Sequence, residues 1–106
     1  AFPYWIAPVQ ARVLPVAEDF VEYGKSVAQT LRSWGVRVEV DERDEKLGKK
    51  IRDAQTQKVP YMIVIGEKER ESGAVAPRER TKGDLGSMSL EQFRAVLDEE
   101  FSPLKK

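Results

Sequence analysis

Cysteine is absent from this chain of 106 residues, and so is histidine. The first absence rules out disulfides and thiolate-bound metals and fits a reducing compartment. The second removes the commonest general base and metal ligand, so Ser-His and Cys-His nucleophile pairs are impossible. Carboxylates and lysines remain for any acid–base work. Long apolar runs are also missing. None approaches the roughly 18 residues of a membrane helix, and the N-terminus lacks the basic stretch and apolar core of a signal peptide. The glycines are scattered, with neither G-x-G-x-x-G nor G-x-x-x-x-G-K-[ST], so no phosphate loop is expected. There is no internal repeat and no low-complexity segment. Finally, there is no excess of either charge: 18 basic and 18 acidic residues cancel. That balance argues against the broad basic field of non-specific duplex binding. It leaves open a local site that reads a few bases.

What is present suits one soluble domain around one core, with 41% hydrophobic residues. Residues 1–10, with prolines and aromatics together, read as an extended lead-in from a larger protein. Ala11–Val16 reads as a first strand, with Val13, Leu14 and Val16 as core candidates and Pro15 near its end. From Glu18 to Trp34, the set Phe20, Tyr23, Val27, Leu31 and Trp34 keeps helical spacing, and Gly35 offers a C-terminal cap. Gly24 inside that helix costs about 1 kcal/mol relative to alanine. Val36, Val38 and Val40 alternate with charged residues, as in a half-buried or edge strand.

The central stretch runs from Asp41 to Glu69 and reads loop, helix, loop, strand, loop. Leu47, Ile51 and Ala54 give one apolar helix face, while Lys46, Lys49, Lys50 and Arg52 crowd the polar side. Val59-Pro60 ends the helix, because a residue before proline is pushed out of the α region. Tyr61–Ile65 is an unbroken apolar run, the pattern of a strand covered on both faces. Gly66–Gly73 reads as a charged turn. Ala74–Arg80 reads as a strand that Pro77 demotes toward an edge or a bulge. Thr81–Ser87 is a polar loop. Ser89 and Gln92 form a capping box, flanked by Met88 and Phe93 as a hydrophobic staple. The last helix carries Leu90, Phe93, Val96, Leu97 and Phe101, and residues 102–106 fray. The alternation predicts an α/β fold, a mixed sheet of four or five strands between helix layers, with one antiparallel neighbour.

Two charged clusters invite function. Asp41, Glu42, Asp44 and Glu45 lie between a strand and a helix. They read as helix-capping carboxylates or, alternatively, as a phospho-acceptor or metal site of the receiver type, with Lys68 as its lysine. Arg78, Arg80 and Lys82 read as a solvated strand edge. Glu69 and Arg78 flank one strand connection, and a carboxylate and a guanidinium that converge there can read base edges.

Four stretches carry a family resemblance: Phe2–Gln10 (F-P-Y-W-I-A-P-V-Q), Val36–Gly48, Lys50–Gly66 with its P-Y-M-I-V-I-G, and Gly83–Leu90 with D-L-G-S-M. Together they make the chain similar to the C-terminal anticodon-binding domain of bacterial-type threonyl-tRNA synthetases, which are class II enzymes. The resemblance implies a three-layer α/β/α fold with a five-stranded mixed sheet and about three helices. It divides the chain into a lead-in (1–10), the domain proper (11–101) and a tail (102–106). It implies recognition of the tRNA(Thr) anticodon stem-loop in support of ATP-dependent threonylation. Asp44, Glu69 and Arg78 match the anticodon readers, and Lys46, Lys49, Arg52 and Arg80 are candidate phosphate contacts. Two positions depart from the family pattern: Asp44 replaces its usual asparagine, and Pro77 its usual valine. No catalytic residue or cofactor is expected within these residues. ATP, Mg2+ and the threonine-binding Zn2+ would belong to an upstream catalytic domain of the same polypeptide, in a cytoplasmic homodimer with no membrane contact. The alternatives are a stand-alone anticodon-binding-like domain for structured RNA or protein, and an unrelated receiver or small-ligand enzyme.

Overall fold

The computed structural model describes residues 8–80 and 82–101, the last two without their side chains. The lead-in before residue 8 and the tail after residue 101 lie outside these residues, as does the Phe101 ring expected in the core. Three short strands make the centre of the sheet, of which only the middle one is rich in β-branched and aromatic residues. They are β1 (Ala11–Pro15), β3 (Tyr61–Ile65) and β4 (Ala74–Glu79). The edge strand β2 (Val38–Val40) lies parallel to β1 on the side away from β3, so the half-buried edge expected from Val36–Val40 is correct in kind. β1 and β3 are parallel, β3 and β4 antiparallel, and the path runs β2-β1-β3-β4. The short strands β5 (Gly83–Asp84) and β6 (Met88–Ser89) both pair with β4.

Alternation along the strands divides the interior. Ala11, Val13, Tyr61, Ile63, Ile65 and Val75 face a core closed by α1 (Val21–Ser33) and α4 (Leu90–Phe101), where Phe93 meets Tyr61 edge to face. Leu14 and Met62 face the other way, against α2 (Leu47–Thr56), where Ala54 and Val59 complete a smaller core. The fold is thus α/β with helices on both faces of a mixed sheet.

Local signals explain the helix ends. Gly35, at φ +88°, closes α1: its N–H donates to the Arg32 carbonyl at 2.9 Å, and the Val36 N–H donates to the Leu31 carbonyl at 3.1 Å. This cap takes Val36 out of β2, which begins only at Val38. Gly24 lets α1 sit close on β1, since a Cβ there would stand 3.1 Å from Val13 Cγ1. Ser89 and Gln92 exchange the two capping-box bonds at 3.0 and 3.1 Å.

Four expectations need correction. Val16, expected in the core at the end of the first strand, lies beyond β1 and is exposed. Gly66–Gly73 is not a simple turn, since Glu67–Ser72 forms a helix, α3, closed by Gly73 at φ +69°. Its six residues are all polar, so no apolar periodicity betrays it. The polar loop at Thr81–Ser87 contains β5. β4 is interior to the sheet rather than at its edge, yet Pro77 fits there. It lies between the residues that pair with β6 and those that pair with β5. Its carbonyl accepts from the Leu85 N–H at 3.0 Å, on the side away from β3, so the missing N–H interrupts no bond to β3.

Candidate nucleic-acid interface

α2 lies over β1 and leaves the far half of that sheet face unroofed among the described residues. Val64 of β3 and Ala76 of β4 are half-buried there, in register with each other. Arg78 projects from the same face, because it lies two residues beyond Ala76. The wall of this groove is one flank of α2. Steps of about 100° per residue put Gly48, Arg52 and Gln55 together. Lys49 and Asp53 occupy the opposite flank, where Asp53 meets Arg43 at 3.0 Å on the β2 side. All three wall residues are exposed.

The carboxyl end of the parallel strands closes the groove at the top, where ligands of open α/β sheets gather. Val16 stands there, 37% exposed, the one large hydrophobic so exposed among the described residues. On one side of it lies Glu69, whose Oε1 accepts the Gly66 N–H at 2.8 Å. That bond caps α3 and orients the carboxylate, leaving Oε2 to accept from a ligand. On the other side Val16 lines a cavity of about 270 Å³ with Asp44, Glu45 and Lys50. Glu69 is also near enough for its charge to act on Tyr23, whose hydroxyl donates to the Ala74 carbonyl at 2.8 Å. Burial first, and then the Glu69 charge, raise the Tyr23 pKa above its ordinary value.

The expected site residues are therefore only partly brought together. Asp44 and Glu69 share the carboxyl end with Val16 between them. Arg78 does not converge with Glu69: it pairs with Met62, three residues from the end of β3. At about 3.3 Å per residue it lies roughly 10 Å down the groove. Neither the Asp44 nor the Arg78 side chain has a hydrogen bond or ion pair among the described residues. Lys46 occupies the N-cap position of α2, Lys49 pairs with Asp53 at 3.7 Å, and Arg52 projects from the wall. Arg80 donates to the Lys58 carbonyl at 3.2 Å, at the amino end of the groove.

The acidic cluster does not cap α2, whose first turn contains no carboxylate. Asp41 instead binds Arg43 through both oxygens, at 2.9 and 2.7 Å. That hydrogen bonding is the main reason its carboxyl pKa falls below the ordinary value, against the opposing effect of burial. Arg43 then reaches Asp53, clamping the loop that bears Asp44 onto α2. Among the described residues no cluster of acidic side chains is suited to hold a metal ion. Lys50 is the functional support that its residue type hides. It lies not on the polar side of α2 but in the interior, 2% exposed, and its Nζ donates to the Pro15 and Asp41 carbonyls at 3.0 and 3.2 Å. Its spacing from Leu47 and Ala54 was the available signal.

Residues 10–100 match the family model described as "Anticodon binding domain". The chain belongs to that family. Among relatives of this anticodon binding domain, a threonine–tRNA ligase of Desulforamulus reducens is 50% identical over 100 residues, covering 94% of the chain and 16% of the relative. Another, of Pelodictyon phaeoclathratiforme, is 58% identical over 89 residues, covering 84% of the chain and 14% of the relative. The domain thus spans about one-sixth of such ligases. In structure it is similar to the RNA binding domain of threonyl-tRNA synthetase from Cryptosporidium parvum, with a TM-score of 0.90 and 35% identity, covering 96% of this chain and 26% of that one.

Proposed function

We propose that this domain recognises the anticodon stem-loop of a threonine tRNA, as the C-terminal part of a threonine–tRNA ligase. The observation that carries the proposal is the groove: a helix-capping carboxylate, Glu69, at one end and, on its floor, the Arg78 guanidinium, whose side chain has no partner among the described residues. A carboxylate accepts from guanine N1–H and N2–H, and a guanidinium donates to the carbonyl oxygens of guanine or uracil. Threonine anticodons share a middle G and a final U, which need those two chemistries. Small side chains at Val64 and Ala76 leave room for a base to lie on the sheet. Lys46, Arg52 and Arg80 supply positive charge for phosphates, whereas Lys49 lies on the far flank of α2 and pairs with Asp53.

Threonine activation, with its ATP, Mg2+ and Zn2+, belongs in this proposal to a catalytic domain elsewhere in the polypeptide, in a cytoplasmic homodimer. No described helix is long and apolar enough to cross a membrane. The test uses the full-length ligase. Glu69→Ala and Arg78→Ala should each reduce recognition of tRNA(Thr) by about 1–3 kcal/mol, with threonyl-adenylate formation nearly unchanged. Normal charging by both variants would exclude the two residues as readers.

A further inference from the structure

Lys58 is the one non-glycine residue at positive φ among the described residues, at +61°. It closes α2 as Gly35 closes α1. The Lys58 N–H donates to the Gln55 carbonyl at 3.0 Å, and the Val59 N–H donates to the Ala54 carbonyl at 3.0 Å. Glycine takes this left-handed position freely, whereas the Cβ of lysine is crowded there. The backbone alone would be better served by glycine, so the use of lysine lies in its side chain. That side chain is exposed and has no hydrogen bond or ion pair among the described residues.

Its surroundings say what it can hold. The Lys58 carbonyl accepts from Arg80 Nη1 at 3.2 Å, which fixes a guanidinium against the backbone of the residue that bears the ammonium. Arg78 projects from the same face of β4 as Arg80. Asp84, opposite Arg78 across the strand pair, has one carboxylate oxygen engaged by the Gly86 N–H at 2.8 Å. Lys58 and Arg80 thus stand together at the amino end of the groove, beyond the base-reading Arg78 and its cross-strand neighbour Asp84, while the carboxylates Asp44 and Glu69 stand at the carboxyl end. An RNA strand suits that polarity when its phosphates lie at the cationic end and its bases reach the acidic end.

We propose that Lys58 is a phosphate-contacting residue, aimed by its left-handed cap and acting with Arg80 on the backbone of the RNA in the groove. This rests on the anticodon-recognition proposal above. The test compares Lys58→Gly and Lys58→Arg with the native chain, in thermal unfolding and in titrations with a threonine anticodon stem-loop at several salt concentrations. Lys58→Gly should raise the unfolding midpoint by about 2–6 °C. It should also weaken RNA binding about three- to tenfold and make the logarithmic salt slope shallower by about 0.7–0.9. Lys58→Arg should bind as the native chain does. Stability and affinity moving in opposite directions is the signature, since a residue that only caps the helix would change stability alone. Unchanged affinity and salt slope in Lys58→Gly would overturn the inference, as would an unchanged or lower midpoint. Arg78→Ala separates the two proposals: if it weakens binding while Lys58→Gly does not, only the Lys58 inference fails. A native chain that does not bind the stem-loop at low salt, or that binds an acidic peptide equally well, removes both.

Discussion

Replacing Lys50 by methionine keeps most of the buried stem and removes the ammonium. In the native chain that ammonium donates to two carbonyls, of Pro15 and Asp41, from a side chain that is 2% exposed. Hydrogen bonds to a charged donor contribute about 1.5–3 kcal/mol each, and a buried acceptor left without a donor costs about 1–3 kcal/mol. Part of that loss is offset, because methionine avoids the desolvation of a buried charge. Water in the adjoining cavity offers the freed carbonyls some compensation. The expected net loss is about 2–4 kcal/mol, or a fall in melting temperature of about 10–25 °C for a domain of this size. Urea unfolding at neutral pH measures it, with the denaturant slope unchanged if the folded state stays as compact. The two carbonyls belong to the segments that carry Val16 and Asp44, so affinity for the anticodon stem-loop should fall as well. A loss below about 1 kcal/mol would refute the claim that Lys50 ties these strand ends together.

Other perturbations follow from single contacts. Asp41 has its pKa depressed in the fold, so its stabilisation is present above the unfolded value and is lost as pH falls through the folded one. Acid titration of stability should therefore flatten below about pH 4 in Asp41→Asn, and an unchanged profile would discount the Arg43 clamp. Ser89→Ala should cost about 1 kcal/mol in unfolding experiments, the worth of one N-cap. Asp44→Asn should leave stability within about 1 kcal/mol, since Asp44 caps nothing. It should tighten stem-loop binding, most clearly at low salt, where repulsion of phosphates is least screened. Equal affinity at every salt concentration would place residue 44 outside the interface.

Much of the fold is legible where residues repeat with a structural period. The valines at 38 and 40 mark the edge strand, though Val36, in the same alternation, belongs to the α1 cap; Tyr61–Ile65 marks the central strand, and Gly35 and the Ser89–Gln92 box mark helix ends. These signals are local, so a single sequence carries them. α3 escapes because its stability comes from Glu69 capping Gly66 and from Gly73, not from an apolar face. Lys50 escapes because its type says surface while its position between Leu47 and Ala54 says core. The site is half legible. The family resemblance names Asp44, Glu69 and Arg78. Only the strand register shows that Arg78 stands apart from Glu69, down an open groove with cations at its far end. The strained cap at Lys58 is invisible in sequence, since nothing in Q-K-V-P distinguishes a left-handed lysine from any other.

Glu69→Gln tests the central claim most directly. A glutamine Oε1 can still accept the Gly66 N–H, so the cap and the fold are retained, while the outer oxygen that faces a ligand becomes a donor. The measurement is a pair of titrations, native and Glu69→Gln, against a threonine anticodon stem-loop and the same stem-loop with adenine in place of its middle guanine. The native chain should prefer guanine by about 1–3 kcal/mol, and Glu69→Gln should lose that preference without losing stability. An undiminished guanine preference in Glu69→Gln would contradict the assignment of Glu69 as the residue that reads the anticodon.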